Sequence, residues 1–279
     1  MRSATMRIEK KRIWLAVLTI TTLLLYIGSF EWLLRSWLTM DAYSHGFLIP
    51  FVSGFLVWQK CNLLREASSR RSPLLFIGAV LLYLAGQLTG AVFIATLSLI
   101  PFLLGLILLF KGYEAARGLA FPISFLIFAI PLPAVDLATL TLQSVSTILA
   151  TAISHLAGVE SSFEGCQILL DGTIFEIAPA CSGFNSIISL YTIVTLLSYL
   201  IPDPLMDKVI LFAATLPIAI FTNGLRIGIT LIVASRYGVE TGMKYFHGWG
   251  GLTFYITALL SIFALLGCIR WTRKISTEQ

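Results

Sequence analysis

Apolar positions in this chain run in long uninterrupted blocks separated by short polar clusters, instead of marking one face of each helix or strand. Blocks at 13–30, 44–59, 73–90, 91–110, 118–133, 182–201, 209–234 and 248–269 approach the ~20 residues that a helix needs to cross a bilayer. They predict about eight transmembrane helices. A ninth block, 136–157, is studded on several faces by Thr139, Thr141, Gln143, Ser144, Ser146, Thr147, Thr151, Ser154 and His155. That pattern predicts a helix lying on the membrane or packed within the protein, not one facing lipid. Beyond it, C-Q-I-L-L-D-G-T-I-F-E-I-A-P alternates with period two and turns at Asp171-Gly172, which predicts a small β-hairpin of about five residues per arm.

Composition strengthens the membrane reading. Hydrophobic residues make up 57% of the 279 and charged ones 12%, with mean hydropathy +0.90. The expected fold class is therefore an all-α polytopic membrane protein, one transmembrane domain over 1–279. Arg2, Arg7, Lys10, Lys11 and Arg12 precede the first block, and no small-residue cleavage site follows it, so an uncleaved first span is expected.

Charge orients the spans. With residues 1–12 inside and eight crossings, most of the 19 basic residues fall on the cytoplasmic side, leaving only Arg35, Arg226, Arg236 and Lys244 outside or in an outer half-span. A crossing at 136–157 would send the C-terminal W-T-R-K outside, against the positive-inside rule. Residues 134–180 are thus expected to form one extracytoplasmic region, and 270–279 a cytoplasmic tail. The net charge of +5 sets topology and is no nucleic-acid signal, since the positive residues sit in short clusters between spans.

The candidate chemistry collects at the outer boundary. A-P-A-C-S-G-F-N-S, from Ala178 to Ser186, places Cys181 at the mouth of the sixth block, where a thiol meets water. Arg226 in T-N-G-L-R-I-G-I-T lies about 17 residues beyond the inner end of the seventh, roughly 26 Å along a helix and near the outer edge of a ~30 Å hydrocarbon layer. His247 of F-H-G-W-G-G opens the eighth. A thiolate attacks carbonyls, and a neighbouring cation favours its ionised form. Arg226 cannot be a general base, so its role is either to stabilise an oxyanion or to hold a substrate backbone. His247 is the candidate proton shuttle. Its alternative is a helix-start or substrate contact.

Other residues carry two readings each. His45 lies near the same face, either contacting substrate or supporting the site, or simply packing. Asn223, one turn before Arg226, is placed to orient the guanidinium or a substrate carbonyl. Gly183, Gly224 and Gly228 permit close backbone approach, whose plain reading is helix packing, and Ser182 and Gly183 flank the thiol. Cys61 and Cys268 read as inert small hydrophobes and His155 as a satisfied polar contact. Cys166 shares the outer compartment with Cys181, so a disulfide between them is the competing arrangement. No metal-ligand spacing, G-x-S-x-G or phosphate-binding glycine loop is present, and no cofactor is expected.

Four ordered motifs, Y-S-H-G-F-L-I-P, F-E-I-A-P-A-C-S-G, N-G-L-R-I and H-G-W-G, together resemble the exosortase and archaeosortase family from about Tyr43 to Gly251. The resemblance implies a polytopic membrane cysteine protease or transpeptidase of the bacterial inner membrane, its site facing the periplasm. Its implied partners are single-pass membrane proteins ending in a Pro-Glu-Pro-like motif, one hydrophobic span and a basic cluster, in bacteria that commonly make exopolysaccharide. It also implies Cys181 as nucleophile, Arg226 as its basic partner and His247 as the third, most variable member. The rivals are a transporter or exopolysaccharide export component, and a membrane acyltransferase that uses Cys181 on a lipid thioester. A transporter predicts polar groups at mid-membrane and an internal repeat, neither of which is visible in the sequence.

Overall fold

A computed structural model describes residues 17–64, 71–133, 135–177 and 183–278, except for the side chains of residues 41, 135–138, 185, 247 and 276–278. The chain divides into two units, one ending at Pro133 and the other beginning at Ala134.

The first unit is helical. Helices α1 (Val17–Leu25) and α2 (Ile27–Thr39) meet at a 62° bend, where Tyr26 is buried and shares a 2.9 Å hydrogen bond with the Ser98 hydroxyl. A 3-10 turn, Asp41–Phe47, leads into α3 (Leu48–Gln59). Then come α4 (Leu74–Leu88), α5 (Val92–Leu97), α6 (Leu99–Phe110) and α7 (Tyr113–Ser124), the last followed by a 3-10 turn over Phe125–Ala129. Tyr26, Ala79, Leu99, Phe102 and Leu106 form one core cluster, and Leu33, Ile100, Leu119, Ile123 and Ile130 a second. Two lysines bond the backbone near helix ends, Lys60 Nζ donating to the Gly118 carbonyl at 3.1 Å and Lys111 Nζ to that of Leu64.

The second unit begins with α8 (Val135–Leu156), close to the expected 136–157. Its polar residues form a buried stripe, with Thr139, Gln143, Ser146, Thr147, Thr151 and Ser154 all turned inward at helical spacing. A three-stranded antiparallel meander follows, β1 (Ser162–Glu164), β2 (Gln167–Leu170) and β3 (Thr173–Glu176). The hairpin turns where expected, with Asp171 at φ 48° and Gly172 at φ 76°, positive values that a two-residue hairpin turn demands of both centres. The expectation of two strands is corrected to three. Strand β1 is only three residues long, and all of them are exposed, so it leaves no alternation to read.

Alternation on β2 sends Ile168 and Leu170 inward, where they join Ala150 of α8 and Ile227, Leu231 and Ala234 of the long helix α10 (Leu205–Tyr237). Helices α9 (Phe184–Leu200), α10 and α12 (Gly250–Glu278) build the other core of this unit. Ile187, Leu190 and Val194 face Leu211 and Ala219, and Phe254, Ala258, Ile262 and Leu266 complete the cluster at helical spacing. Between α10 and α12 lies the short helix α11 (Val239–Gly248). At the other ends of α10 and α12, Arg270 donates to Asp203 from Nε and Nη2 at 3.1 and 2.9 Å, and Arg273 pairs with Asp207.

Three helices of the described residues are long and apolar enough to cross a membrane: Val92–Phe110, Leu205–Tyr237 and Gly250–Ile275. The bent pair Val17–Leu25 and Ile27–Thr39 makes a fourth if counted as one span. The protein is therefore a mostly helical membrane protein, with three or, counting the bent pair, four of the eight expected crossings supported among the described residues. The other four expected spans are helices of 12, 15, 12 and 17 residues. At 1.5 Å per residue, 12 residues cover only ~18 Å of a ~30 Å hydrocarbon layer. In the block at 118–133 the reason is local. Pro122 lies inside α7, and Pro131 and Pro133 bar a helix from continuing.

Candidate active site

The expected nucleophile Cys181 and its neighbour Ser182 lie outside the described residues, and of the other expected site residues of the second unit Gly183 meets Asn223, one helical turn before Arg226. Gly183 is the N-cap of α9, left-handed at φ 87°. A Cβ on Gly183 would fall 2.9 Å from Asn223 Cγ, so the α9 entry rests directly on the Asn223 side chain. Asn223 is 1% exposed, and its Nδ2 donates to Ser146 Oγ of α8 at 2.9 Å. Close approach of the two helices makes that bond possible. Cβ atoms on Gly224 and Gly228 would lie 2.6 Å from Leu149 Cβ and 2.7 Å from Ile153 Cγ2, which gives these glycines the packing role.

One turn beyond Asn223, Arg226 is half-buried. Its guanidinium carbon sits 4.7 Å from the Phe246 ring centroid, a cation–π contact of about 0.5–2 kcal/mol. Its aliphatic stem runs along Gly250, where an added Cβ would stand 3.4 Å from Arg226 Cγ. Phe246 and Gly250 frame His247 in sequence. The backbone of His247 belongs to α11, a helix of its own, and not to the start of the final span as expected. Its side chain lies outside the description.

The segment before Cys181 is also tied down. Gln143 Nε2 of α8 donates to the Ile177 carbonyl at 2.7 Å, where β3 ends. His155 is engaged with the Ser161 backbone at 2.6 Å, in keeping with a satisfied polar contact. Cys166 is a free thiol, 3.9 Å from Ser144 Oγ. Among the described residues no three His, Cys, Asp or Glu side chains cluster as metal ligands.

His45 belongs to the first unit. It stacks on Tyr43 with centroids 6.2 Å apart, and the buried Tyr43 hydroxyl accepts the Leu132 backbone N–H at 2.9 Å. Trp37 Nε1 donates to the Ala129 carbonyl at 2.7 Å, so Trp37 and Tyr43 hold the chain on either side of Pro131. Burial holds the His45 imidazole below its ordinary 6.5, against the opposing pull of a backbone hydrogen bond with Ala42. An apolar cavity of about 580 Å³ in this unit is lined by Phe30, Leu33, Trp37, Leu103 and Ile130 among others, and by none of the expected site residues.

Gln143, Ser146 and Phe246 are the contacts that sequence reasoning did not assign to the site. The signal for the first two was the polar studding of α8. Nothing in the sequence separates Phe246 from the chain's many other aromatic residues.

The family model for transmembrane exosortases matches residues 37–264, a span that holds all four motifs. No curated protein and no solved structure matches the chain.

Proposed function

Because the chain belongs to the transmembrane exosortase family, we propose that it is a cysteine-type transpeptidase or peptidase that removes C-terminal sorting tails from single-pass membrane proteins at the outer face of the inner membrane. The observation that carries this reading is the family match over residues 37–264, which includes the Cys181 motif, and the contact of Gly183 with Asn223, one turn before Arg226, supports it.

In the proposed reaction the Cys181 thiolate attacks the scissile carbonyl. The C–S bond forms, the C–N bond breaks, and a thioester remains on Cys181. The thiol proton passes through His247 to the leaving amine. Arg226 is permanently charged and holds either the developing oxyanion or the substrate backbone. Its contact with Phe246 supports this role by holding the guanidinium against an aromatic face. Water, an amine or a hydroxyl then resolves the thioester. Residues 134–180 form the extracytoplasmic wall of the site, and the substrate tail lies against the spans with its basic end in the cytoplasm.

Co-expression with a tagged single-pass protein bearing a Pro-Glu-Pro-type tail tests this. Wild type should shorten the substrate and Cys181→Ala should leave it whole. Shortening by Cys181→Ala would overturn the proposal, and an intact tail in both strains would return weight to the transporter and acyltransferase readings.

A further inference from the structure

Resting on that reading of Cys181, we propose that Gln143 and Ser146 of α8 are positioning residues that brace the nucleophile-bearing segment at both of its ends. The two sit three residues apart, on one face of one helix, and are 4% and 1% exposed. Gln143 holds the Ile177 carbonyl, four residues before Cys181. Ser146 holds Asn223, whose side chain forms the surface on which Gly183 rests, two residues after Cys181. One turn of helix thus holds the residue just past β3 and the helix cap that follows the segment. The same Asn223 stands one turn from Arg226, so the brace also ties the Gly183 cap to the helix that carries the cation.

The chemistry explains why such a brace uses hydrogen bonds in a buried stripe. A nucleophile must be held near its attack geometry, and a displacement of ~1 Å costs on the order of a hundredfold in rate. Apolar packing against α8 resists sliding weakly, because it has no preferred direction. An amide donating to one carbonyl and a hydroxyl accepting from one amide fix register as well as distance. Gln143 and Ser146 touch neither the thiol nor a substrate in this proposal, and act through Ile177, Asn223 and Gly183.

The test uses full-length protein in membranes, with Gln143→Met, which keeps the shape and loses the donor, and Ser146→Ala. Thr151→Val, an isosteric change in the same buried stripe, controls for general loss of packing. Two readouts are taken: processing of the tagged tail, and the rate at which iodoacetamide labels the Cys181 peptide across a pH series, followed by mass spectrometry. The expected result is a loss of processing of about tenfold to a hundredfold in each brace variant. An upward shift of the alkylation midpoint should accompany it, as the thiol leaves its cationic surroundings. Thr151→Val should match wild type in both. Wild-type processing and an unmoved alkylation profile in Gln143→Met and Ser146→Ala would overturn the brace, as would equal losses in Thr151→Val. Failure of the underlying reading looks different, because Cys181→Ala would then still process the tail, and the positioning role would fall with it.

Discussion

At Arg226 the structure places a planar cation on an aromatic face with its stem against a glycine, an arrangement specific to guanidinium. Lysine carries the charge but neither the stacking plane nor the fork of donors. Arg226→Lys should therefore reduce tail processing by about a hundredfold or more, the scale of losing one oxyanion donor, while the protein level in membranes stays near wild type. Activity equal to wild type would remove Arg226 from the chemistry. Gly183 makes a second demand at this scale. Its positive φ costs an L-residue ~1–2 kcal/mol, and a methyl group there would press on Asn223, so Gly183→Ala should lower both thermal stability and processing. His45 supplies a pH signature. The unfolded imidazole protonates near 6.5, while burial depresses its folded-state value, so the folded protein binds the proton later. This contribution to stability is complete above about pH 6.5 and is lost as pH falls through the folded-state value. The thermal midpoint in detergent should fall across that window, and His45→Gln should flatten the decline.

Among the elements, α8 and α10 show what a sequence does and does not reveal. The polar studding of 136–157 argued against a lipid-facing helix, and the structure turns Thr139, Gln143, Ser146, Thr147, Thr151 and Ser154 inward, beside a partner whose glycines let the backbones close up, while Thr141, Ser144 and His155 stay exposed. The partner itself was not legible, because α10 lies about 70 residues farther along and contact is a property of the fold. Gly228→Leu tests the interface by forcing a side chain into Ile153, where overpacking costs about 1–3 kcal/mol. Its thermal midpoint should fall well below that of Thr151→Val. The hairpin was readable to the residue, since Asp171-Gly172 encodes its own turn. The outlying strand β1 was not, having neither alternation nor length. The separate helix that carries His247 went unread for a related reason. Hydropathy marks where an apolar run starts, and the break between α11 and α12 falls at F-H-G-W-G-G, where several glycines permit either a continuous helix or a corner.

For the molecule as a whole, apolar runs told correctly that the chain lives in a membrane, while helix length among the described residues supports three or four of the eight crossings they predict. A run of apolar residues measures solvent preference, whereas a crossing requires unbroken helix, and Pro122, Pro131 and Pro133 break one of the expected spans without making it less apolar. The outward faces of the long helices agree with a lipid solvent, with Phe212, Phe221, Leu260 and Phe263 exposed along α10 and α12. What ties those two helices at their far ends is ionic. Asp207 is largely buried beneath Arg273, and removing it strands a cation at the membrane boundary. Asp207→Ala should cost about 1–3 kcal/mol, less than a fully buried pair because Arg273 is partly exposed, and Arg273→Met with Asp207→Leu should recover much of the loss. Thermal unfolding of the single and double variants measures the coupling.

The inward face of the meander has a consequence for how the protein is made. Ile168 and Leu170 find half of their partners, Ile227, Leu231 and Ala234, on a helix translated roughly 60 residues later. At ~5–20 residues per second the ribosome needs several seconds to supply them. Between the synthesis of Cys181 and that of Arg226 the nascent chain carries the thiol with neither the sheet's seat nor the arginine in existence. On the proposed reading of Cys181 and Arg226, catalytic competence therefore comes late in biogenesis, once α10 has been made, and the unfinished chain cannot act on its neighbours.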